Sequence, residues 1–491
     1  MKSLCECLAL YMEKKNTSAS FLAARTGIDR ATIYQYINGT RPLVNENHLN
    51  TIMHELHLSP SERTNLLKAY NMERVGPQTY NRRLKFEELL RSLQDFPMAP
   101  LPTALSQDAA ALPAEALPVM AEGELKINAV LHQIFLDAAR RDADLALLTQ
   151  PDGRAALDAL LLLWPQTKHA RITHLICLEA DSNQSSEINL AYAKQVIRYS
   201  VGLVRYDPFY FYGAADEHYG SMNLLPYLIF SDRYAVQLSA NWQTALIYTD
   251  EQIVQYFSKA FRHMQDRSRP LLTRMEGIAG RAQWGMDYLT EVDFTGILSM
   301  HPNLTAYQFW DEEIIRTYLS EAIPNREEMI AAYTQNTSYM NRLHKMYGIH
   351  DIVNAAVVED FIRNGIFKEF PPILTDRPLS KADRRRLMER MIAGIQEGWY
   401  HFQMLPPEVY VANIHWEIGC QQNSHLLLQH STQTGFHIYR FEEPDIVHTA
   451  YDYLQSLINH PNTLNEIQAI PLIRQWMNQY LSEDESAAGQ R

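Results

Sequence analysis

The sequence predicts a multidomain protein in which a small all-α domain precedes a larger mixed α/β (α+β) body. In the first 75 residues apolar side chains recur at spacings of three and four, which is typical of short amphipathic helices. Residues 97–123 are rich in proline and alanine, a composition typical of an extended, semi-rigid linker. Beyond residue 124, short apolar runs alternate with helical stretches. At 491 residues the chain has room for two or three domains.

These changes in composition set the predicted boundaries. We assign residues 1–75 to the helical domain, 76–123 to a connecting helix and a Pro/Ala-rich linker, 124–275 to the first half of the body, and 276–491 to a second half with a helical insertion. The connecting helix is predicted over residues 80–96, where leucines recur along one side. It could join two domains, pair with its own copy in a dimer, or pack on its own domain, and the sequence leaves these alternatives open.

Residues 17–42 predict two short helices joined by a tight turn. Thr17 is the expected N-cap of the first helix, and Gly27 follows it, where a left-handed residue costs little without a Cβ. Asp29 can cap the second helix, which ends at the turn signal Asn38-Gly39. One side of that second helix is apolar and carries Ile33, Tyr36 and Ile37. The opposite side is polar and carries Arg30, Thr32, Tyr34 and Gln35.

This pattern resembles the Cro/phage-repressor class of helix-turn-helix domains, often called the XRE family, over roughly residues 3–72. The residues at the family's spacing are Leu22, Ala23, Gly27, Ile33, Asn38 and Gly39. The five-helix plan of the family also fits, with a first helix over 4–14, a fourth over 46–56 and a fifth that begins at a capping box, Ser59 to Glu62, with proline at N1. The resemblance implies a domain that places its second short helix in the major groove of double-stranded DNA.

We assign the family's residue roles only to positions that match its pattern. On that basis the resemblance implies that Arg30, Ala31 and Gln35 lie against base edges. Arg and Gln side chains can pair bidentately with guanine and adenine respectively, whereas an alanine could touch only a thymine methyl group. Tyr34 shares the same exposed side of the helix.

The resemblance also implies three residues near phosphates, which fix the register of a domain on DNA rather than read its sequence: Thr32, Asn38 and Arg41. In this family the start of helix two often carries a glutamine that grips a phosphate. Here that position is Ala19, and Ser18 is the polar neighbour that could take over the contact.

The net charge of −13 conceals an asymmetry along the chain. Residues 1–96 hold 13 Lys and Arg against 10 Asp and Glu, a net charge of +3, whereas the remainder holds 31 against 47, a net charge of −16. Because DNA binding depends on neutralising phosphates, the sign change agrees with an N-terminal DNA reader and a body that does not touch DNA. A reader with so small a positive charge favours a homodimer, in which two copies bind together.

The body is expected to be a layered α/β structure with a partly parallel sheet. Helices are predicted over 124–141, 155–163 and 188–202, strands over 145–149 and 172–178, and residues 305–400 are predicted to be mostly helical. Strands over 227–231, 234–240 and 245–248 lead into an acid-capped helix, and the segment 414–454 repeats that order. The repetition indicates an internal duplication, although a convergent order of strands and helices explains it almost as well.

No catalytic, cofactor or metal site is predicted. The sequence contains no glycine-rich phosphate loop, HExxH, GxSxG or paired CxxC motif. A duplicated α/β body behind a helix-turn-helix resembles phospholipase-D-like sensor domains, but no histidine is followed two residues later by lysine, as the active enzymes of that class require. His344, His350 and Asp351 are close in sequence, and chance explains their spacing better than a metal site does.

The aromatic cluster over residues 206–212 is the best candidate for a small-molecule site. Tyr206, Tyr210 and Tyr212 could line an apolar pocket with polar tips, as a binding site for an effector requires. A packed strand or loop that anchors the core is the alternative, and it is favoured by about two to one.

These observations favour a cytoplasmic, sequence-specific transcription regulator whose body senses a signal or mediates oligomerisation. No apolar run approaches the ~20 residues of a membrane helix, and the four cysteines lack metal-ligand spacing. An enzyme or defence effector that carries a DNA-binding domain for autoregulation or targeting is the alternative. A peptide-pheromone receptor built from helical repeats is disfavoured, because the sequence shows no 34-residue period.

Overall fold

The computed structural model describes residues 3–43, 45–95, 117–152, 155–164, 167–180, 185–203, 205–213, 224–276, 296–304, 306–323, 325–366, 377–406, 416–431 and 436–482. The chain forms two compact units, Met1–Lys85 and Phe86–Arg491. Along the described residues, none of the helices has both the length and the apolar content needed to cross a bilayer. None of the four cysteines forms a disulfide.

The N-terminal unit is all-α and confirms the predicted five-helix plan. Its helices are α1 Leu4–Lys14, α2 Ala19–Thr26, α3 Arg30–Ile37, α4 Glu46–Glu55 and α5 Pro60–Val75. Leu22, Ile33, Leu49 and Leu66, from four different helices, are almost completely buried in a common core. The capping box at Ser59 and Glu62 is present, with Pro60 at the first helical position.

One predicted cap is wrong by a single residue. Ser18, not Thr17, caps α2, because the Ser18 Oγ accepts the Phe21 N–H at 3.2 Å. The Thr17 hydroxyl instead donates to the carbonyl oxygen of Lys15.

The connecting helix, α6, runs over Pro77–Ser92 and continues into a 3-10 turn, Leu93–Asp95. Its last part belongs to the body, because Phe86, Leu89, Leu90 and Leu93 are buried in the largest core cluster of that unit. The Phe86 ring lies 5.4 Å from the ring of Tyr453. Residues 96–116, which include most of the predicted linker, lie outside the described residues.

The body contains two mixed sheets and ten further helices within the described residues. The strands are β1 Met120–Glu122, β2 Leu145–Leu148, β3 Ile172–Glu179, β4 Tyr206–Gly213, β5 Tyr227–Phe230, β6 Ala235–Leu238, β7 Thr244–Tyr248, β8 Arg269–Pro270, β9 Leu272–Glu276, β10 Ile297–His301, β11 His350–Asn354, β12 His401–Leu405, β13 Glu417–Gln421, β14 His425–Ser431 and β15 Phe436–Phe441. The helices are α7 Glu124–Arg141, α8 Ala155–Leu163, α9 Ser185–Gly202, α10 Glu251–Gln265, α11 Glu312–Tyr318, α12 Arg326–Tyr347, α13 Ala355–Asn364, α14 Lys381–Gln396, α15 Pro444–Ile458 and α16 Glu466–Tyr480.

The two sheets share one topology. In the first sheet, ordered β1-β7-β6-β5-β2-β3-β4-β8, β2 is parallel to β3 on one side and antiparallel to β5 on the other. In the second sheet, ordered β12-β11-β10-β13-β14-β15-β9, β10 has the same two relationships with β11 and β13. Each antiparallel meander ends in an acid-capped helix, α10 after Asp250 and α15 after Glu443. The repeated order noted in the sequence is therefore a repeated topology in the fold.

The halves of the body differ in their crossovers. A single helix, α8, connects β2 to β3, whereas a 3-10 turn at Tyr307–Phe309 and two helices, α11 and α12, connect β10 to β11. The expected mostly helical block thus contains strand β11 in its middle. The halves also share one core, which joins Ile176 and Val196 of the first half to Ile418 and Leu454 of the second.

Candidate DNA-recognition surface

Local capping fixes the turn between α2 and α3. Gly27 adopts a left-handed conformation with φ of 72°, and its N–H donates to the Ala23 carbonyl oxygen. This conformation is accessible to glycine because it has no Cβ. Asp29 then begins α3, and its Oδ2 accepts the Thr32 N–H at 3.1 Å. The angle between the two short helices is therefore fixed locally, by the left-handed Gly27 and by the Asp29 cap.

The buried side of α3 sets which residues face outward. Ile33 and Tyr36 are almost fully buried, and the Tyr36 hydroxyl is hydrogen-bonded to His48 Nδ1 on α4 at 3.0 Å. A residue anchored at both its ring and its hydroxyl prevents rotation of the helix about its own axis. The exposed side of α3 is thus held in one orientation.

The predicted base-reading residues lie together on that exposed side. Arg30, Ala31, Tyr34 and Gln35 are all exposed, at successive turns of one helix. The guanidinium carbon of Arg30 lies 5.4 Å from the ring centroid of Tyr34, close enough for a cation–π interaction. An exposed, polar helix side that carries both an arginine and a glutamine has donor and acceptor groups that base edges in the major groove can match.

The predicted phosphate contacts are arranged at the two ends of the same element. Thr32 is half-buried near the start of α3, and Asn38 is its exposed C-cap. The N–H groups of Thr40 and Arg41 both donate to the Gln35 carbonyl oxygen, at 3.0 and 3.3 Å. The main chain that carries Arg41 is therefore tied to the helix that carries Gln35.

Ser18 lies exposed at the start of α2, next to the buried Ala19. Its oxygen already accepts the Phe21 N–H, but its hydroxyl hydrogen remains available to donate to a phosphate oxygen. A contact by Ser18 with DNA stays a prediction.

Ion pairs divide the basic residues of this unit into two groups. Lys14 and Lys15 both contact the buried carboxylate of Glu62, at 2.5 and 3.3 Å. Hydrogen bonds from Lys14, from the Ser59 N–H and from Lys15 together lower the pKa of Glu62 to about 2. Arg25 is similarly engaged by Glu55, whose pKa it lowers. By contrast, neither Arg30 nor Arg41 forms an ion pair with any residue that the structure describes. Arg30 and Arg41, the two arginines expected to contact DNA, are therefore among the charges that no acidic group of the described residues neutralises.

Phe21 was not singled out as a site residue, and it is 58% exposed on α2. Adjacent residues of an α-helix point about 100° apart, so Phe21 and the buried Leu22 cannot both face the core. That spacing was the signal that could have identified Phe21 as an exposed aromatic residue beside Ser18.

The tyrosines proposed for a ligand site lie on β4 in the body. Tyr206 and Tyr210 are buried in the main core, and the Tyr206 hydroxyl is hydrogen-bonded at 2.8 Å to His174, whose pKa burial lowers to about 4. Tyr212 is 44% exposed, and its hydroxyl donates at 2.5 Å to the buried Glu443. Each of the three hydroxyl groups therefore lies in a different environment, and a ligand role for them stays a prediction.

The histidines near Asp351 in sequence lie in different environments in the fold. His301 Nε2 lies 3.2 Å from Asp351 Oδ1, and burial lowers the pKa of the nearby His344. His350 instead stacks on His401 at 4.7 Å. Among the described residues, no group of three or more His, Cys, Asp or Glu side chains is placed to hold a metal ion.

Residues 8–62 form a Cro/C1-type helix-turn-helix DNA-binding domain, because they match the model of that family over all of α2 to α4. The match covers the whole candidate surface described above. The family of the body is not identified by any comparison.

Comparison with solved structures finds TrmBL2, an archaeal chromatin protein whose structure is described as showing a novel mode of DNA binding. It is 12% identical over 50% of this chain and 84% of its own, with a TM-score of 0.23, and at that score the likeness carries no argument about this chain. A search of curated proteins found no match.

Proposed function

We propose that this chain is a sequence-specific transcription regulator, in which α3 of the N-terminal unit reads operator DNA in the major groove. The observation that carries the proposal is the exposed side of α3 in a Cro/C1-type domain, where Arg30 and Arg41 have no acidic partner among the described residues. Arg30 would pair with guanine and Gln35 with adenine, and Arg41 would neutralise a phosphate. Because its proposed partner is genomic DNA, the protein would act in the cytoplasm.

We further propose that the protein acts as a homodimer. The net charge of +3 over residues 1–96 means that one N-terminal unit can neutralise few DNA phosphates. It therefore gains little affinity from the release of the counterions bound to DNA. In a dimer, binding of one DNA-binding unit to the first half of a paired operator holds the second unit close to the other half. The second binding event then occurs at a high effective concentration. Native mass spectrometry of the purified chain tests this directly: a mass of two subunits supports the dimer, and a monomer at micromolar concentration excludes it.

The body would sense a signal or mediate assembly, and α6 would transmit its state to the reader. The support is that α6 begins in the N-terminal unit and ends in the core of the body. The Trp416 Nε1–H donates to the Leu93 carbonyl oxygen at 3.2 Å, so the end of this segment is bonded to the second half of the body. A signal molecule that binds the body can act through such a contact only under one condition. It must bind with different affinity to the two conformations in which the pair of DNA-binding units of the dimer are arranged differently. The proposal assigns no catalytic step to the body.

Mapping the genomic DNA bound by the protein tests the DNA-reading proposal. Fragments that co-precipitate with the full chain should share a short sequence, and the purified protein should bind that sequence more tightly than a scrambled one at fixed salt. Equal affinity for both duplexes would contradict sequence-specific reading and leave only general affinity for DNA.

A further inference from the structure

A cavity of about 400 Å³ lies in the second half of the body, between the 3-10 turn at Tyr307–Phe309, α12 and α14. Within the described residues, the first half crosses between its parallel strands with one helix each, α8 and α9, and shows no counterpart of the added elements that line this cavity. The second half has therefore gained a binding-sized space at the place where the two repeats diverge.

The cavity combines aromatic rings with a neutral polar edge. Phe309, Trp310 and Trp399 supply the rings, and the Phe309 and Trp399 centroids are 5.6 Å apart. Trp399 packs closely on Gly394, where a Cβ would lie 2.6 Å from Trp399 Cζ2, so glycine is what lets the indole lie against α14. Rings held in this way present fixed faces on which a flat molecule can stack.

The two charged side chains that line the cavity are engaged within the protein. Arg390 donates to the Phe309 carbonyl oxygen at 2.8 Å and to Asp311 Oδ2 at 2.6 Å. Glu397 accepts the Trp399 Nε1–H at 2.9 Å. Both charged lining groups therefore serve to hold the lining. Lys345 on α12 lies outside the lining, with its Nζ 4.9 Å from the centroid of the Trp399 ring, and its flexible stem can move aside for a base stacked on that ring.

The polar edge is made by a carboxamide and a hydroxyl. One N–H of the Asn341 amide donates to the Gln308 carbonyl oxygen at 3.4 Å, which orients the group and leaves its oxygen and second N–H for a bound molecule. The buried Thr337 hydroxyl donates to Thr334, so it can still accept. An amide that offers one acceptor beside one donor is complementary to the amino group and adjacent ring nitrogen of adenine.

We propose that this cavity binds an adenine nucleoside, with the base stacked on Trp399 and read by Asn341. The volume accommodates a base with its ribose, and aromatic stacking is the interaction by which bases of single strands are held. The inference concerns the second half of the body alone, so it stands or falls independently of DNA binding by the N-terminal unit.

Isothermal titration calorimetry of the full chain with adenosine, in the absence of DNA, tests the proposal. We expect one site per chain, with uridine and glucose at least about tenfold weaker, because each lacks either the purine stacking surface or the matching edge. No heat with millimolar adenosine, or equal binding of uridine or glucose, would overturn the assignment.

Variants locate the site. Trp399→Ala should weaken adenosine binding about 10-fold or more, Trp399→Phe should retain most of it, and Asn341→Ala should reduce the preference for adenosine over uridine. Tyr256→Ala removes an aromatic side chain that is 68% exposed on α10, and it should leave binding unchanged. Thermal unfolding identifies a variant that fails to fold, in which case the half-exposed Asn341 decides the question. Unchanged adenosine affinity and selectivity in folded Trp399→Ala and Asn341→Ala would exclude this cavity.

Discussion

The guanidinium carbon of Arg30 lies 5.4 Å from the ring centroid of Tyr34, one turn further along α3. An exposed cation–π contact of this kind contributes about 0.5–1 kcal/mol. It narrows the rotamers of an arginine that forms no ion pair with the described residues, and so reduces the entropy that Arg30 would lose when it contacts a base. We therefore expect Tyr34 to act as a positioning residue for Arg30.

Replacing Tyr34 tests this relationship. Tyr34→Ala should weaken binding to the operator by about two- to fivefold, whereas Tyr34→Phe, which keeps the ring, should stay close to the wild type. Fluorescence anisotropy with labelled duplex measures both, and the loss should disappear in an Arg30→Ala background. If Tyr34→Ala is equally harmful with and without Arg30, then Tyr34 acts on DNA by itself.

Arg41 should contribute affinity without specificity. Its main chain is tied to Gln35, and it has no ion pair with any described residue. Arg41→Ala should weaken binding to all duplexes by a similar factor and reduce the slope of log affinity against log salt by about 1. Arg25→Ala is the matched control, since Arg25 is engaged by Glu55. A sequence-dependent loss with an unchanged salt slope would place Arg41 on a base instead.

The N-terminal unit should lose stability in acid through Glu62. Hydrogen bonds from Lys14, from the Ser59 N–H and from Lys15 hold the pKa of this carboxyl at about 2 in the folded state, below the usual value of 4.5. A depressed carboxyl pKa stabilises the fold above the unfolded pKa, and that contribution is lost as pH falls from about 4.5 to about 2. Circular dichroism of residues 1–85 in urea should show this loss, and Glu62→Gln should flatten it. An unchanged pH profile in Glu62→Gln would assign acid sensitivity to another group.

The two halves of the body are joined by the bond from Tyr212 to Glu443. Burial raises the pKa of Glu443, and the Tyr212 hydroxyl partly offsets that cost by donating to the charged form. A raised carboxyl pKa favours the fold at low pH and disfavours it as pH rises through the folded pKa. Tyr212→Phe should therefore destabilise the body by about 1–3 kcal/mol at pH 7 and by less near pH 4.

Tryptophan fluorescence in urea follows this unfolding, because all seven tryptophans lie beyond residue 163. Tyr256→Phe, on an exposed ring, is the control and should leave the midpoint unchanged. The same destabilisation at both pH values would mean that the Tyr212 hydroxyl does not favour the charged form of Glu443 over the neutral form.

Local chemistry made much of the fold predictable. The side chains of Asp29 and Ser59 each accept the backbone N–H of the residue three positions later, and each begins a helix where expected. The choice between Thr17 and Ser18 was not decidable, because both carry a hydroxyl and only the path of the chain distinguishes them. Helix boundaries set by neighbours in sequence are thus visible in the sequence to within a residue or two.

Contacts between distant segments were not predictable. Strand β11 is five residues long and begins with His350 and Asp351, so it has no apolar alternation, and it is a strand because β10 and β12 pair on either side. Tyr212 and Glu443 are 231 residues apart, and no local pattern links them. The exposed face of α3 was predictable because helical spacing alone defines it, whereas the cavity beside Trp399 depends on three elements that meet only in the fold.

The most direct test of the central claim is the base preference of Gln35→Ala. The wild-type protein and this variant should be selected against the same random duplex library at one salt concentration. We expect the variant to lose preference at one adenine position of each half-site, at a cost of about 1–3 kcal/mol, and to keep its other preferences. An unchanged preference at every position would contradict the placement of α3 in the major groove with Gln35 against a base.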